Sequence, residues 1–196
     1  MSAYGAATAT TVIGGQAAVE RMQGWNRQLA LTPMSERTFV ATKVAVALTI
    51  ATVPILLTYL LGLLTVAAAP GQVWLTSALI AWAGSAIFAL YGLAFGLALK
   101  SEAAFSAASG SLVIFGFLGN VFMPLTGIML DIARFTPLYG VVSLARYPLT
   151  GGEGINLDSG DTFVEPLWPM VANVVAWTVL LALVAGLLVR RARARR

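Results

Sequence analysis

The sequence predicts an all-α integral membrane protein of about five membrane helices, the first of them short. Three observations predict it. Of 196 residues, 59% are hydrophobic and only 10% are charged, against roughly 25% charged in soluble domains. Long uncharged runs recur along the chain. The basic residues gather on one side of the alternating helices those runs imply.

The runs divide the chain into five segments within a single domain, residues 1–196. The first, Ser2 to Val19, is weakly hydrophobic and rich in Ala, Gly and Thr. The others are Val44 to Ala69, Val73 to Leu99, Ala103 to Leu130 and Leu167 to Val189. Each of these four exceeds the roughly 20 residues that cross a hydrocarbon core. Lipid offers no hydrogen-bonding partner to a free backbone, so they are expected as helices. Ala69-Pro70-Gly71 is a turn signal between the second and third. Lys100-Ser101-Glu102 separates the third from the fourth, with Ser101 placed to cap the helix that follows. The connection before the last segment begins apolar, as short helices at or dipping into the outer interface. From Gly151-Gly152-Glu153-Gly154 onward it reads as an exposed, acidic loop.

Arg21, Arg27, Arg37, Lys43, Lys100 and the tail Arg190, Arg191, Arg193, Arg195 and Arg196 fall on one side, and only Arg134 and Arg146 on the other. Lys and Arg accumulate in the cytoplasm. The expected location is therefore the cell membrane, multi-pass, with a cytoplasmic C-terminus. The tail reads as an anchor to anionic membrane lipid, not as a nucleic-acid site. No secretory leader is read at the N-terminus, where no basic residue precedes the apolar stretch.

The chain has no cysteine and no histidine, which removes thiolate chemistry and the commonest metal ligand and general base. No metal or cofactor site and no catalytic set is expected. No Gly-rich loop ends in Gly-Lys-Ser or Gly-Lys-Thr, so the chain carries no phosphate-binding motif of its own.

The stretch from Glu20 to Leu29 is the most informative. Val19, Met22, Trp25 and Leu29 recur three or four residues apart and share one helical face, while Glu20, Gln23 and Arg27 share another. Such a helix lies flat at the membrane surface with Trp25 at headgroup level, and Thr32-Pro33 ends it. On these residues alone it reads as a juxtamembrane anchor.

The run Glu20-Arg21-x-x-Gly24-Trp25-Asn26-Arg27-x-Leu29-x-Leu31-Thr32-Pro33, followed by Lys43 at the head of an apolar helix, resembles the permeases of type-2 ABC transporters, the drug-resistance exporters above all. The likeness continues at Phe122-Met123-Pro124-Leu125, Thr136-Pro137-Leu138-Tyr139 and Ala145-Arg146-Tyr147. It implies that Glu20, Arg21, Gly24, Trp25, Asn26, Arg27 and Leu29 belong to a cytoplasmic amphipathic coupling helix. That helix would seat on a separate ATPase subunit, which binds the ATP. A second permease subunit, the same or different, would complete the pore. Members of that family usually carry six membrane helices, so the first is expected to be missing here, through a misplaced start or a true truncation.

Three features inside the segments carry two readings each. Gly92-x-x-x-Gly96 permits close helix packing. Asn120 and Pro124, late in the fourth segment, are candidates for a pore or gate, or for a structural bend with the amide bonded to a neighbour. Asn173 carries the same pair of readings. The function expected is export of a hydrophobic or amphipathic substrate such as a drug, lipid or glycan. The alternative is an ion-coupled secondary transporter, although the four long segments hold no acid or base. A membrane-embedded enzyme lacks a plausible catalytic set, and an inactive remnant rests on the missing helix alone.

Overall fold

The computed structural model describes residues 1–23, 35–65, 68–99, 103–155 and 160–194. It is mostly helical. Helix α1 (Ser2–Gly15) runs into α2 (Ala17–Met22), and α3 spans Glu36–Leu64. Next come α4 (Gly71–Gly84), α5 (Ala86–Ala98) and α6 (Ala103–Leu118). Two short helices, α7 (Gly127–Ala133) and α8 (Pro137–Thr150), precede strands β1 (Glu153–Ile155) and β2 (Thr162–Val164), and α9 (Leu167–Ala194) closes the described chain.

The weakly hydrophobic first segment turns out to be the centre of the bundle. Ala3, Ala6, Ala7, Thr10, Thr11, Gly14 and Gly15 of α1 are buried, between α5 on one side and α3 on another. Small side chains make this position possible. A Cβ on Gly92 would lie 2.1 Å from the Thr11 carbonyl oxygen, one on Gly14 would lie 2.3 Å from that of Ala89, and one on Gly96 would lie 2.9 Å from that of Gly15. Gly92 and Gly96 thus do pack a helix interface, and its other half is α1. Hydroxyls tie the contact. Thr10 Oγ1 donates within reach of both its own-helix carbonyl at Ala6 (2.9 Å) and the carbonyl of Ser85 (3.0 Å). Thr11 Oγ1 donates to the carbonyl of Phe88 at 3.3 Å.

Helix α3 begins well before the expected Val44, because Ser35 caps it. Its Oγ accepts the Thr38 N–H at 3.1 Å. Helices α4 and α5 meet at Ser85 and together form the expected third segment, one apolar stretch from Gly71 to Ala98. Among the described residues, three helical stretches are long and apolar enough to cross a membrane: Arg37–Leu64, Gly71–Ala98 and Leu167–Arg191. A fourth is added if α7 and α8, bent by 98°, count as one broken span. By length and composition the described residues thus supply three or four spans, and the expected fifth is not among them. Helix α1, at 14 residues, is about 21 Å long. Helix α6, at 16 residues, is about 24 Å, short of the ~30 Å core.

Two further expectations are corrected. The fourth segment does not continue to Leu130: α6 stops at Leu118. The Val121 N–H bonds the Gly116 carbonyl at 3.2 Å and the Asn120 N–H bonds that of Phe117 at 3.3 Å. This crossed pair is a Schellman stop, and Asn120, at φ 57°, holds its left-handed position. The exposed loop after Gly151 is in part a hairpin, with Glu153 opposite Val164 and Ile155 opposite Thr162. It is a small departure from an all-α fold.

Helices α3 and α9 carry rows of exposed apolar side chains, among them Val53, Leu57, Leu61 and Leu64 on α3 and Val175, Val179, Leu183 and Leu187 on α9. Contiguous apolar surface on this scale suits lipid and not water. The start of α3 lies beside the end of α9, since Arg37 and Arg190 line one groove. Arg37, Lys43, Arg190 and Arg191 therefore gather at one end of the bundle. Arg134 and Glu165 sit at the other, by the start of α9.

A Gly92→Ala substitution should destabilise the protein by about 3 kcal/mol or more, since the neighbour it meets is backbone and cannot yield. Gly110→Ala, whose added Cβ meets nothing within 4 Å, should leave stability almost unchanged. Thermal melts of the two variants in one detergent read the difference.

Candidate functional site

The candidate coupling residues lie where α2 ends. Glu20 is in the last turn of α2, and its carboxylate pairs with the ammonium of Lys43 on α3. The pair is well sheltered, with 18% of the Lys43 side chain and 28% of the Glu20 side chain exposed. Lys43 also stands 5.9 Å above the ring of Phe39. The two residues are 23 apart in sequence, so their ion pair ties α2 to α3. Beyond Glu20, Met22 and Gln23 are exposed. Arg21 is the penultimate residue of α2. Gly24, Trp25, Asn26, Arg27 and Leu29 lie outside the described residues, as do Lys100, Ser101 and Glu102.

The gate candidates are placed differently from expectation. Neither Asn120 nor Pro124 lies inside a helix. Asn120 Oδ1 accepts the Leu125 N–H at 3.1 Å, and the Asn120 carbonyl accepts from Arg146 Nη1 at 2.7 Å. The amide therefore organises a turn. Pro124 lies beyond the helix stop, where its missing N–H costs no helical bond.

A second polar centre went unnoticed in the sequence. At the elbow between α7 and α8, Arg134 donates from Nε (2.9 Å) and Nη2 (2.7 Å) to Glu165 Oε1, and from Nη1 (2.8 Å) to Asp131. The buried Tyr139 hydroxyl donates to the other oxygen of Glu165. Thr136 caps α8 and Pro137 takes its first position, which sets the sharp bend. The bend strands carbonyls, and α9 supplies their donors. Asn173 Nδ2 donates to the carbonyls of Arg134 (2.7 Å) and Thr136 (3.2 Å), and Trp177 Nε1 donates to that of Phe135 (2.9 Å). Asn173 thus follows its structural reading, bonding a neighbouring element. Beside the network is a cavity of about 260 Å³ lined by Arg134, Tyr139, Glu165, Pro169, Met170 and Asn173. Glu165 is 31 residues from Arg134, too distant for any local pattern to pair them.

The chemistry of this centre is that of a latch. It pairs charges and satisfies backbone. Among the described residues, no group of three or more Asp and Glu side chains could hold a metal ion.

Comparison of the chain with models of known protein families, with curated proteins and with solved structures returned no match.

Asn173→Leu should cost about 2 kcal/mol or more, because two carbonyls at the elbow lose their donor in an apolar setting. Trp177→Phe, which removes one N–H and keeps most of the ring surface, should cost about 1 kcal/mol. Denaturation midpoints in detergent measure both.

Proposed function

We propose that the chain is a multi-pass cell-membrane protein, the permease subunit of an ABC exporter powered by a separate ATPase. Its basic end and its C-terminus face the cytoplasm, where Lys and Arg accumulate. It would pass a hydrophobic or amphipathic substrate outward, in a pore completed by a second permease subunit. The observation that carries the reading is the joint between α2 and α3. The run that resembles a coupling helix starts at Glu20, and the Glu20–Lys43 pair ties that start to α3 at the basic end of the bundle. A coupling element must transmit displacement to membrane helices, and a loop clamped between α2 and α3 would move with both. Helix α2 continues directly from α1, which packs inside the bundle against α5 and α3.

The clamp refines the role of Glu20. Its carboxylate already has an internal partner, so we assign it to positioning the loop, and we leave direct ATPase contact to Arg27 and its neighbours.

One feature favours a second reading, an ion-coupled carrier. The broken pair α7–α8 carries Asp131 and Arg134, and bent helices with charged residues build ion sites in such carriers. Against it, the charges lie by the start of α9 and not at mid-membrane, and Arg134 neutralises both neighbouring carboxylates.

The deciding experiment purifies the tagged protein from membranes in mild detergent and asks whether a nucleotide-binding ATPase comes with it. Copurification, with release on Arg27→Ala, is expected. Glu20→Lys and Lys43→Glu should each weaken the association about tenfold by setting like charges together, and the double exchange should restore it. A double exchange as weak as the singles would place Glu20 on the ATPase instead. Substrate movement that stops with an uncoupler while ATP stays constant would replace the exporter with the ion-coupled carrier.

A further inference from the structure

With α3 spanning the bilayer, the turn that follows α6 lies at membrane depth. Pro54 is the midpoint of the uncharged α3 run from Val44 to Leu64. Gly5 packs on it, since an added Cβ there would meet Pro54 Cβ at 3.3 Å. Its neighbour Tyr4 meets Phe122 edge to face, with ring centroids 5.0 Å apart. These contacts place Phe122 within about 10 Å of the middle of the core, inside a half-thickness of about 15 Å. Yet from Gly119 to Thr126 the chain is neither helix nor strand, and Phe122, Met123 and Pro124 are exposed. We infer that residues 122–124 and Arg146 line a water-filled recess that opens at the outer end of the bundle, and that Arg146 draws anions into it.

Free backbone groups exclude lipid from this face. Neither the N–H nor the carbonyl of Met123 has a hydrogen-bond partner among the described residues, and nor does the carbonyl of Pro124. Lipid tails offer none, so exposed non-helical backbone at this depth must line water or be covered by protein. Charge selects water over protein. Arg146 is exposed on α8 and donates from Nη1 to the Asn120 carbonyl at 2.7 Å. No Asp or Glu among the described residues pairs with it. A second copy packed dry over this face would bury that cation without a counter-ion. Water solvates the cation and the free backbone together, and a cation in a cleft with low-dielectric walls concentrates anions. The opening is at the outer end because Arg146 stands one turn from the end of α8 at Thr150. The preceding carbonyl, of Ala145, accepts from Ser77 Oγ at 2.6 Å, near the outer start of α4.

The recess rests on insertion of α3 in lipid and not on the transport reading. The chain has no cysteine, so single cysteines report their surroundings without background. Each variant is treated in intact cells with two membrane-impermeant thiol reagents, the anionic sulfonatoethyl and the cationic trimethylammonioethyl methanethiosulfonate. Ile155→Cys, on the exposed hairpin, gives the reference rate for each. Met123→Cys should be modified. Leu57→Cys, on the exposed apolar face of α3 one turn from Pro54, should stay silent until detergent is added. Relative to Ile155→Cys, the anion should be favoured about fivefold at Met123→Cys, roughly the worth of one basic side chain to a nearby anion. Arg146→Gln should abolish that preference and Arg146→Lys should retain it. A Met123→Cys as silent as Leu57→Cys would overturn the recess, with a disulfide-linked dimer pointing to a second copy as its cover and a monomer to lipid. An anion preference that is absent, or unchanged by Arg146→Gln, would overturn the role of Arg146. Leu57→Cys modified as fast as Met123→Cys would instead overturn the membrane reading itself.

Discussion

Gly14 and Gly92 let α1 and α5 touch backbone to backbone, and the other helices are arranged around that contact. No side chain fits between the Thr11 carbonyl and Cα of Gly92. Burial of Ala, Gly and Thr yields little hydrophobic gain per residue. Lipid tails are in any case as apolar as leucine, so helix association in a membrane depends on close van der Waals approach and on hydroxyl bonds to carbonyls. Thr10 and Thr11 supply those bonds to Ser85 and Phe88. The weakly hydrophobic α1 is therefore held inside the bundle beside the well-buried α5, while the strongly apolar α3 and α9 lie outside with most of their surface uncovered.

The same accounting of backbone partners explains the far end of the bundle. Away from water an unpaired carbonyl costs far more than a normal hydrogen bond gains. The elbow at residues 134–136 breaks two helices at once, and α9 answers with an amide and an indole aimed at three successive carbonyls. Fixing the elbow fixes Arg134, and Arg134 in turn holds Glu165 at the entry to α9. The hairpin is drawn into the same arrangement, because the Glu165 N–H bonds the Gly152 carbonyl at 2.9 Å.

What could be read from the sequence followed from hydrophobicity and from local caps. The long apolar runs located α3, the α4–α5 stretch and α9, and Gly92-x-x-x-Gly96 marked a real interface without naming its partner. The apolar opening of the last connection foretold short helices, and α8 is one of them. Missed features fall into two physical groups. Some had a local signal outweighed by apolar continuity: Gly119-Asn120 is a helix stop, but the run to Leu130 obscured it, and Ser35 is a cap, but the polar turn after it hid the true start of α3. Others had no local signal at all. Glu20 with Lys43, and Arg134 with Glu165, are joined only by the packing of distant helices. The candidate coupling residues from Gly24 to Leu29 lie beyond the described structure, and their role rests on the sequence.

The Glu20–Lys43 pair also acts as a depth mark. From Val44 onward α3 is uncharged to Leu64, a length of about 31 Å that matches an ordinary hydrocarbon core without tilt. In the proposed membrane placement Lys43 would stand at the boundary itself, with no spare turn between it and the lipid tails. A thicker bilayer would draw the pair toward hydrocarbon, where water competes less for each charge and the attraction strengthens; a thinner one would release it into the aqueous layer. In the proposed membrane, the hold of α2 on α3 would in this way follow the thickness of the bilayer.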